Sequence, residues 1–189
     1  MKAAESFEYA QVHPVIDAAI AKSLREKPDL QLVAELYNRI PLDTVLLKET
    51  GLEVFRQTVQ AMEDRKRVEL HPVEYLAMLL NFIQRLVQSD HLNEAEANAT
   101  KALNFAREGY AKEPLKYNDA LASSLETCAM IASDLGKLEE CRDARREAIQ
   151  LLRATPGHER TLAQCLSNQS GTLQSLGDFD GALKHSEEV

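Results

Sequence analysis

Tryptophan is absent from this sequence of 189 residues, and glycine, proline and aromatic residues are scarce. Only seven glycines and six prolines are present, and aromatic residues account for 5% of the chain. Alanine, leucine, glutamate, glutamine, lysine and arginine are abundant instead, and these residues favour helices. The composition therefore predicts an all-α fold with few strands or none.

Disulfides, metal sites and enzyme motifs are also missing from the pattern. The three cysteines are an odd number without paired short spacing, which argues against a disulfide framework and fits a reducing compartment. No cysteine or histidine pair has close metal-ligand spacing, and no phosphate-cradling glycine loop, GxSxG or HExxH occurs. A catalytic cysteine paired with His158 has no support in the sequence beyond the presence of the two residue types. We expect no metal, no cofactor and no enzymatic activity.

Positive charge is in deficit, with a formal net charge of -8. Such a chain repels phosphate backbones and has no basic stripe for nucleic acid. No uninterrupted apolar run approaches the length that crosses a bilayer, and Met1 leads into mixed polar sequence rather than a signal core. The sequence predicts a cytoplasmic protein with neither nucleic-acid nor membrane partners.

Helical periodicity is clearest in the second half of the chain. Leu79, Phe82, Ile83 and Leu86 recur at three and four residues, so they share one buried helix face. Proline, glycine and cap signals divide this half into three helix pairs. The predicted helices lie at about 72–89 and 92–112, 116–135 and 137–154, and 158–176 and 178–189.

A repeat is visible in the last two pairs. LGKLEEC at 135–141 and LGDFDGA at 176–182 lie 41 positions apart. The same offset aligns Leu121 with Leu162, Ala122 with Ala163, Leu125 with Leu166, Gly136 with Gly177, Leu138 with Phe179 and Cys141 with Ala182. So many coincidences at one offset indicate repeated units. A weaker copy begins near residue 75, with Asp90 in place of the turn glycine.

This pattern resembles a known family. A helix, a turn with glycine, a leucine or aromatic residue two positions later and a small residue three after that form the core of the tetratricopeptide repeat. Residues 72–189 resemble this family, and TLAQCLSNQSGTLQSLGDFDGALKHSEEV resembles its longer version in kinesin light chains and bacterial signalling proteins. The resemblance implies an α-solenoid of stacked antiparallel helix pairs, a right-handed superhelix whose concave wall is formed by the first helix of each pair.

The first seventy residues show no repeat offset. Apolar spacing predicts helices at about 14–26 and 32–40, the second ended by Pro41. Thr50 and Glu53 have capping-box spacing ahead of a third helix at about 51–66. We interpret residues 1–70 as a divergent helical cap and 71–189 as the three repeats.

The last predicted helix is shorter than its counterpart from residue 137, and no capping helix follows. Helical stacks require end caps with a polar outer face. We therefore expect the chain to continue beyond residue 189 in a longer protein. The alternative is that the exposed last face packs on another molecule, which leaves self-association through the uncapped repeat open.

The resemblance also selects candidate residues for a peptide groove. Those on the first helix of each pair are Asn81, Gln84, Gln88, Ser123, Thr127, Met130, Gln164, Asn168 and Ser175. Asn81, Thr127 and Asn168 share one repeat position, and amide groups can bond the backbone of an extended peptide. Ordinary solvated amides are the competing interpretation. No lysine or arginine stands where the family clamps acidic carboxyl-terminal peptides, so we expect no binding of such peptides.

These features favour a non-catalytic protein-protein interaction module, a scaffold that presents a concave helical groove to a peptide or helix of a partner. The alternative is the sensor or regulatory repeat region of a larger signalling protein whose ATPase or peptidase domain lies outside this chain.

Overall fold

A computed structural model describes residues 2–37, 39, 47–64 and 67–188, with their side chains except those of residues 2–13, 30, 67 and 70. Every regular element within these residues is an α-helix, so the predicted all-α fold is confirmed for this part of the chain. The helices are α1 Lys2–Glu26, α2 Leu30–Tyr37, α3 Lys48–Asp64, α4 Arg67–Leu70, α5 Pro72–Gln88, α6 Leu92–Lys112, α7 Pro114–Asp134, α8 Leu138–Arg153, α9 Glu159–Ser175 and α10 Phe179–Glu188.

The bounds of the later helices agree with the predicted ones to within a few residues. The helix predicted at 72–89 is α5, and the one predicted at 137–154 is α8. The helix predicted at 32–40 corresponds to α2, which begins at Leu30. Its predicted end at Pro41 lies outside the described residues.

The first helix differs from the prediction. We expected it to begin at Pro14, but α1 begins at Lys2 and holds Pro14 in its interior. A proline inside a helix removes one hydrogen-bond donor and can kink the helix, yet its fixed φ is itself helical. Pro72 and Pro114, by contrast, lie in the first turns of α5 and α7, where a missing N–H leaves no bond unmade.

The chain divides into two compact units, Met1–His91 and Leu92–Val189. The first predicted helix pair therefore contributes α5 to one unit and α6 to the other. The predicted division of the chain at residue 70 stays a prediction.

Helix α3 is the centre of the first unit, where it packs against α1, α2 and α5. Leu24, Val33 and Val54 form a buried apolar cluster from α1, α2 and α3. Two cation-π contacts join α3 to α5 in both directions. The guanidinium carbon of Arg56 lies 5.8 Å from the ring centroid of Phe82, and that of Arg85 lies 5.2 Å from the centroid of Phe55.

The start of α3 is held by a residue distant in sequence. The Asp17 carboxylate of α1 accepts hydrogen bonds of 2.8 Å from the backbone N–H groups of Glu49 and Thr50. The Thr50 hydroxyl donates to the Asp17 carbonyl oxygen, so it does not cap the helix. The predicted capping box of Thr50 and Glu53 is wrong, because α3 begins two residues before Thr50 and takes its cap from α1.

Replacing Asp17 with alanine should lower the free energy of unfolding by about 1 to 3 kcal/mol, because two helix-terminal N–H groups lose their acceptor in a buried place. Urea unfolding followed by circular dichroism measures the change. Asp134→Ala, at an exposed position of α7, is the matched control and should stay within about 0.5 kcal/mol. Equal effects of the two substitutions would contradict the capping role.

In the second unit, packing follows the order of the chain. Helix α6 packs on α7, α7 on α8, α8 on α9, and α9 on α10. Ion pairs also connect every second helix at positions about one repeat apart. Lys137 pairs with Glu96, Arg107 with Glu147, and Arg153 with Glu188. These exposed pairs contribute little stability each, but they join α6 to α8 and to Lys137 directly before it, and α8 to α10.

The turns at Gly136 and Gly177 have the same geometry. Their φ angles are 73° and 81°, the left-handed conformation that glycine adopts without strain. In each turn the glycine N–H bonds the carbonyl three residues earlier, and the next N–H bonds the carbonyl five residues earlier, which is the Schellman arrangement. Asp90 has φ 61°. Its N–H bonds the Val87 carbonyl oxygen, and the His91 N–H bonds the Leu86 carbonyl oxygen, which is the same arrangement. The sequence echo therefore corresponds to a repeated turn.

Leu125 is the most direct test of the predicted burial, since no part of it is exposed and its repeat counterpart Leu166 is 2% exposed. Leu125→Ala should cost about 2 to 5 kcal/mol of unfolding free energy, from lost apolar burial and the cavity left behind. Leu115→Ala is the control, because Leu115 lies on the same helix with 95% exposure. An unchanged urea midpoint for Leu125→Ala would refute the burial.

Candidate functional site

A groove of about 550 Å³ lies between α7 and α9, with α8 beneath it. It is lined by Ala122, Ser123, Glu126, Thr127, Met130, Arg145, Thr161, Gln164, Cys165 and Asn168. Both walls follow helical spacing: Ser123, Thr127 and Met130 succeed one another on α7, as Gln164 and Asn168 do on α9. We call this feature the α7–α9 groove.

Five of the nine predicted groove residues meet in this groove, namely Ser123, Thr127, Met130, Gln164 and Asn168. Ser175 is exposed on α9 but does not line it, and its hydroxyl donates to the Gly171 carbonyl oxygen at 3.0 Å.

The other three predicted residues lie on α5 of the first unit. Gln84 and Gln88 are exposed, and Asn81 is half-buried. That these three form one wall with the second unit stays a prediction.

Arg145 of α8 forms the floor of the groove. The residue is only 9% exposed, and its side chain bonds both flanking helices. Its Nε donates to Glu126 of α7 at 3.2 Å, and its Nη1 donates to the Asn168 carbonyl oxygen of α9 at 3.1 Å and to the Thr172 hydroxyl. We call Glu126, Arg145, Asn168 and Thr172 the floor network.

Side chains of the groove wall are tied into this network. The Asn168 Nδ2 donates to Glu126 Oε1 at 2.7 Å, and Asn168 Oδ1 accepts from Gln164 Nε2 at 3.0 Å. Asn168 therefore already uses one donor and one acceptor within the protein, and an amide has further capacity on each atom. A ligand would meet an oriented amide rather than a freely rotating one.

Arg145 and Glu126 are the charged lining residues that sequence analysis missed, besides Ala122, Thr161 and Cys165. The available signal was an arginine inside the apolar face of α8, four residues after Cys141 and four before Ile149. Both of these neighbours are buried, and a buried arginine requires an acceptor partner. Glu126 follows Leu125 directly, but its match to Arg145 depends on how α7 and α8 pack.

Cys165 lines the groove, but the pKa of its thiol is raised, so little reactive thiolate is present at neutral pH. Burial raises the pKa of Cys165 to about 11, and the nearby Glu126 carboxylate acts in the same direction, while Arg145 opposes it. Burial likewise raises the pKa of Cys128 to about 11. Nucleophilic cysteines need the opposite shift, toward the thiolate. His158, weighed as a catalytic partner, has Nδ1 3.1 Å from Asp119 Oδ1.

The end of the second unit exposes apolar side chains. Phe179 and Leu183 of α10 are 69% and 59% exposed, and they lie four residues apart on one helix face. Leu138, the repeat counterpart of Phe179, is half-buried. Self-association through the last repeat, which the sequence left open as an alternative, would use this face, and it stays untested.

No protein-family model matches the chain, and no curated protein matches it. Within the described ranges, no three histidine, cysteine or acidic side chains are grouped as a metal ion would need. No helix in the part of the chain that the structure describes is long and apolar enough to cross a membrane.

The raised pKa of Cys165 predicts slow alkylation. In a Cys128→Ala, Cys141→Ala variant, the rate with iodoacetamide should rise about tenfold per pH unit from pH 7 to pH 9, because the thiol is still almost fully protonated there. Alanine is the residue that the repeat places at position 182, the counterpart of 141. Glutathione is the control, with a rate that begins to level off near pH 9. Levelling of the Cys165 rate below pH 9 would contradict the prediction.

Proposed function

We propose that this chain is a non-catalytic protein-protein interaction module that binds an extended peptide of a partner in the α7–α9 groove. We further propose that its helix pairs stack as an α-solenoid of the tetratricopeptide type. The repeated turns at Gly136 and Gly177, and the neighbour-to-neighbour packing from α6 to α10, support the stacking.

The observation that carries the proposal is the meeting of five candidate residues in one groove. Repeat position alone made these five residues candidates. Three of them come from α7 and two from α9, on facing walls. Hydroxyl and amide groups at such spacing can bond the carbonyl and N–H groups of a peptide backbone.

Rigidity favours binding over catalysis. The groove residues lie within helices, and hydrogen bonds hold Asn168 and Arg145 across the three helices. A preordered wall reduces the ordering cost of association. The groove thiol has a raised pKa, which disfavours the nucleophilic thiolate.

A peptide library tests the proposal. Randomised peptides of about nine residues, which span about 30 Å when extended, are selected against the chain. The tightest binder is then labelled and its Kd measured by fluorescence anisotropy. Ser123→Tyr should weaken binding at least about tenfold, because a large ring at this exposed position fills the groove.

Ser167→Tyr is the matched control, since Ser167 is exposed on α9 but does not line the groove. It should leave the Kd within about twofold, which corresponds to about 0.4 kcal/mol. Equal Kd values for the two variants, or no selected binder at all, would contradict groove binding.

A further inference from the structure

We infer that the α7–α9 groove selects peptides with a lysine or arginine side chain, which pairs with the Glu126 carboxylate. The inference rests on the proposed function and names the class of peptide that the groove takes. It follows from which hydrogen-bonding groups of the groove are still free to bond a ligand.

The two charged residues of the groove are unequally open to it. The Glu126 side chain is 25% exposed, whereas that of Arg145 is 11% exposed. Together they are formally neutral, but the more accessible member is the carboxylate. A ligand entering the groove therefore meets negative charge before positive charge.

Three of the five N–H donors of Arg145 are engaged by the protein. Its Nε bonds Glu126, and its Nη1 bonds both the Asn168 carbonyl oxygen and the Thr172 hydroxyl. An acidic ligand would find only the two Nη2 donors outside these bonds, on a side chain that is 11% exposed, and would otherwise have to compete with three internal acceptors. Such competition costs the protein bonds that the buried arginine requires.

The carboxylate of Glu126 retains acceptor capacity. Its Oε1 accepts from Arg145 Nε and from Asn168 Nδ2, Oε2 lies 3.4 Å from the same Arg145 Nε, and the Cys165 thiol is a further donor to the carboxylate. A carboxylate has about four lone-pair sites, so at least one site on Oε2 is available. This atom is an acceptor for a further charged donor.

The nearby hydroxyl of Thr127 also acts as an acceptor. Its Oγ1 donates its hydrogen to the Ser123 carbonyl oxygen at 2.8 Å, one turn earlier on α7. The remaining lone pairs of Thr127 can only accept. Lysine offers three donors and arginine five, with no acceptor on either, so both match the acceptors of Glu126 and Thr127.

The groove also accommodates the apolar stem of a basic side chain. Met130, which is 36% exposed, lines it, and the buried Ala122 and Cys165 lie beside Glu126. Lysine and arginine bury their methylene stems on apolar surface while the charged end bonds a polar group. The formal net charge of -8 adds a longer-range attraction for basic segments. The apolar surface, the negative charge and the free acceptors of the groove therefore all favour a lysine or arginine side chain.

The peptide selection described above tests the inference when it is read for composition. Selected peptides that lose binding in Ser123→Tyr should be enriched in one central lysine or arginine. In the tightest of them, replacing that residue with norleucine or citrulline should weaken binding about tenfold, the scale of a paired charge in an interface. Raising the salt from about 50 to about 300 mM should weaken the wild-type complex by several-fold.

Glu126→Gln keeps an acceptor for Arg145 and removes the charge. It should weaken the basic peptide about tenfold, and the norleucine peptide should bind Glu126→Gln and wild type equally. Glu139→Gln, at a side chain 74% exposed on α8, is the control and should change neither. A thermal melt of each variant shows whether the chain still folds, and the peptide-side substitution tests the pairing without touching the protein.

The outcomes separate the inference from the proposed function. Groove-dependent binders without a basic residue, or binders whose affinity is the same in wild type and Glu126→Gln, overturn the inference and leave the function standing. Binders that tolerate Ser123→Tyr overturn the function itself. Binders enriched in acidic residues also overturn the inference, since Arg145 would then be the recognising group.

Discussion

The second unit depends on one arginine that bonds two helices other than its own. Arg145 of α8 reaches Glu126 on α7 and the Asn168 carbonyl oxygen on α9. Taking a guanidinium out of water is costly unless acceptors surround it, so these bonds must form together with the packing of the three helices. The same bonds join the facing walls of the α7–α9 groove. The stability of the unit and the shape of its candidate site therefore depend on the same interactions.

Sequence reasoning reached the helices and half of the site, for identifiable reasons. Helix ends at Pro72 and Gly136 follow from local backbone chemistry, and the buried faces follow from the 3.6-residue period. Ser123 and Asn168 were found because repeat position determines which wall a residue occupies. Glu126 and Arg145 were missed, because their pairing depends on how two helices pack and on no spacing within either.

The errors in the first unit have the same origin. Thr50 and Glu53 fit a local capping signal, but Asp17, 33 residues before Thr50, supplies the cap. Pro14 fits a helix start, yet α1 continues through it. Capping and helix-start signals are local in sequence. Here a side chain from a distant part of the chain supplies the cap, and a helix continues through the apparent start. Repeated units are easier to predict, because the positions buried in one unit indicate which positions are buried in the next.

The order in which α6 to α10 pack has a kinetic consequence. Each helix contacts its predecessor and its successor in the chain, so most native contacts close short loops. Topologies of this kind fold in microseconds to milliseconds, and partial unfolding can spread inward from an end helix without melting the middle. Opening of α10 alone would therefore leave α7, α8 and α9 packed, and with them the bonds of Arg145 and the shape of the α7–α9 groove.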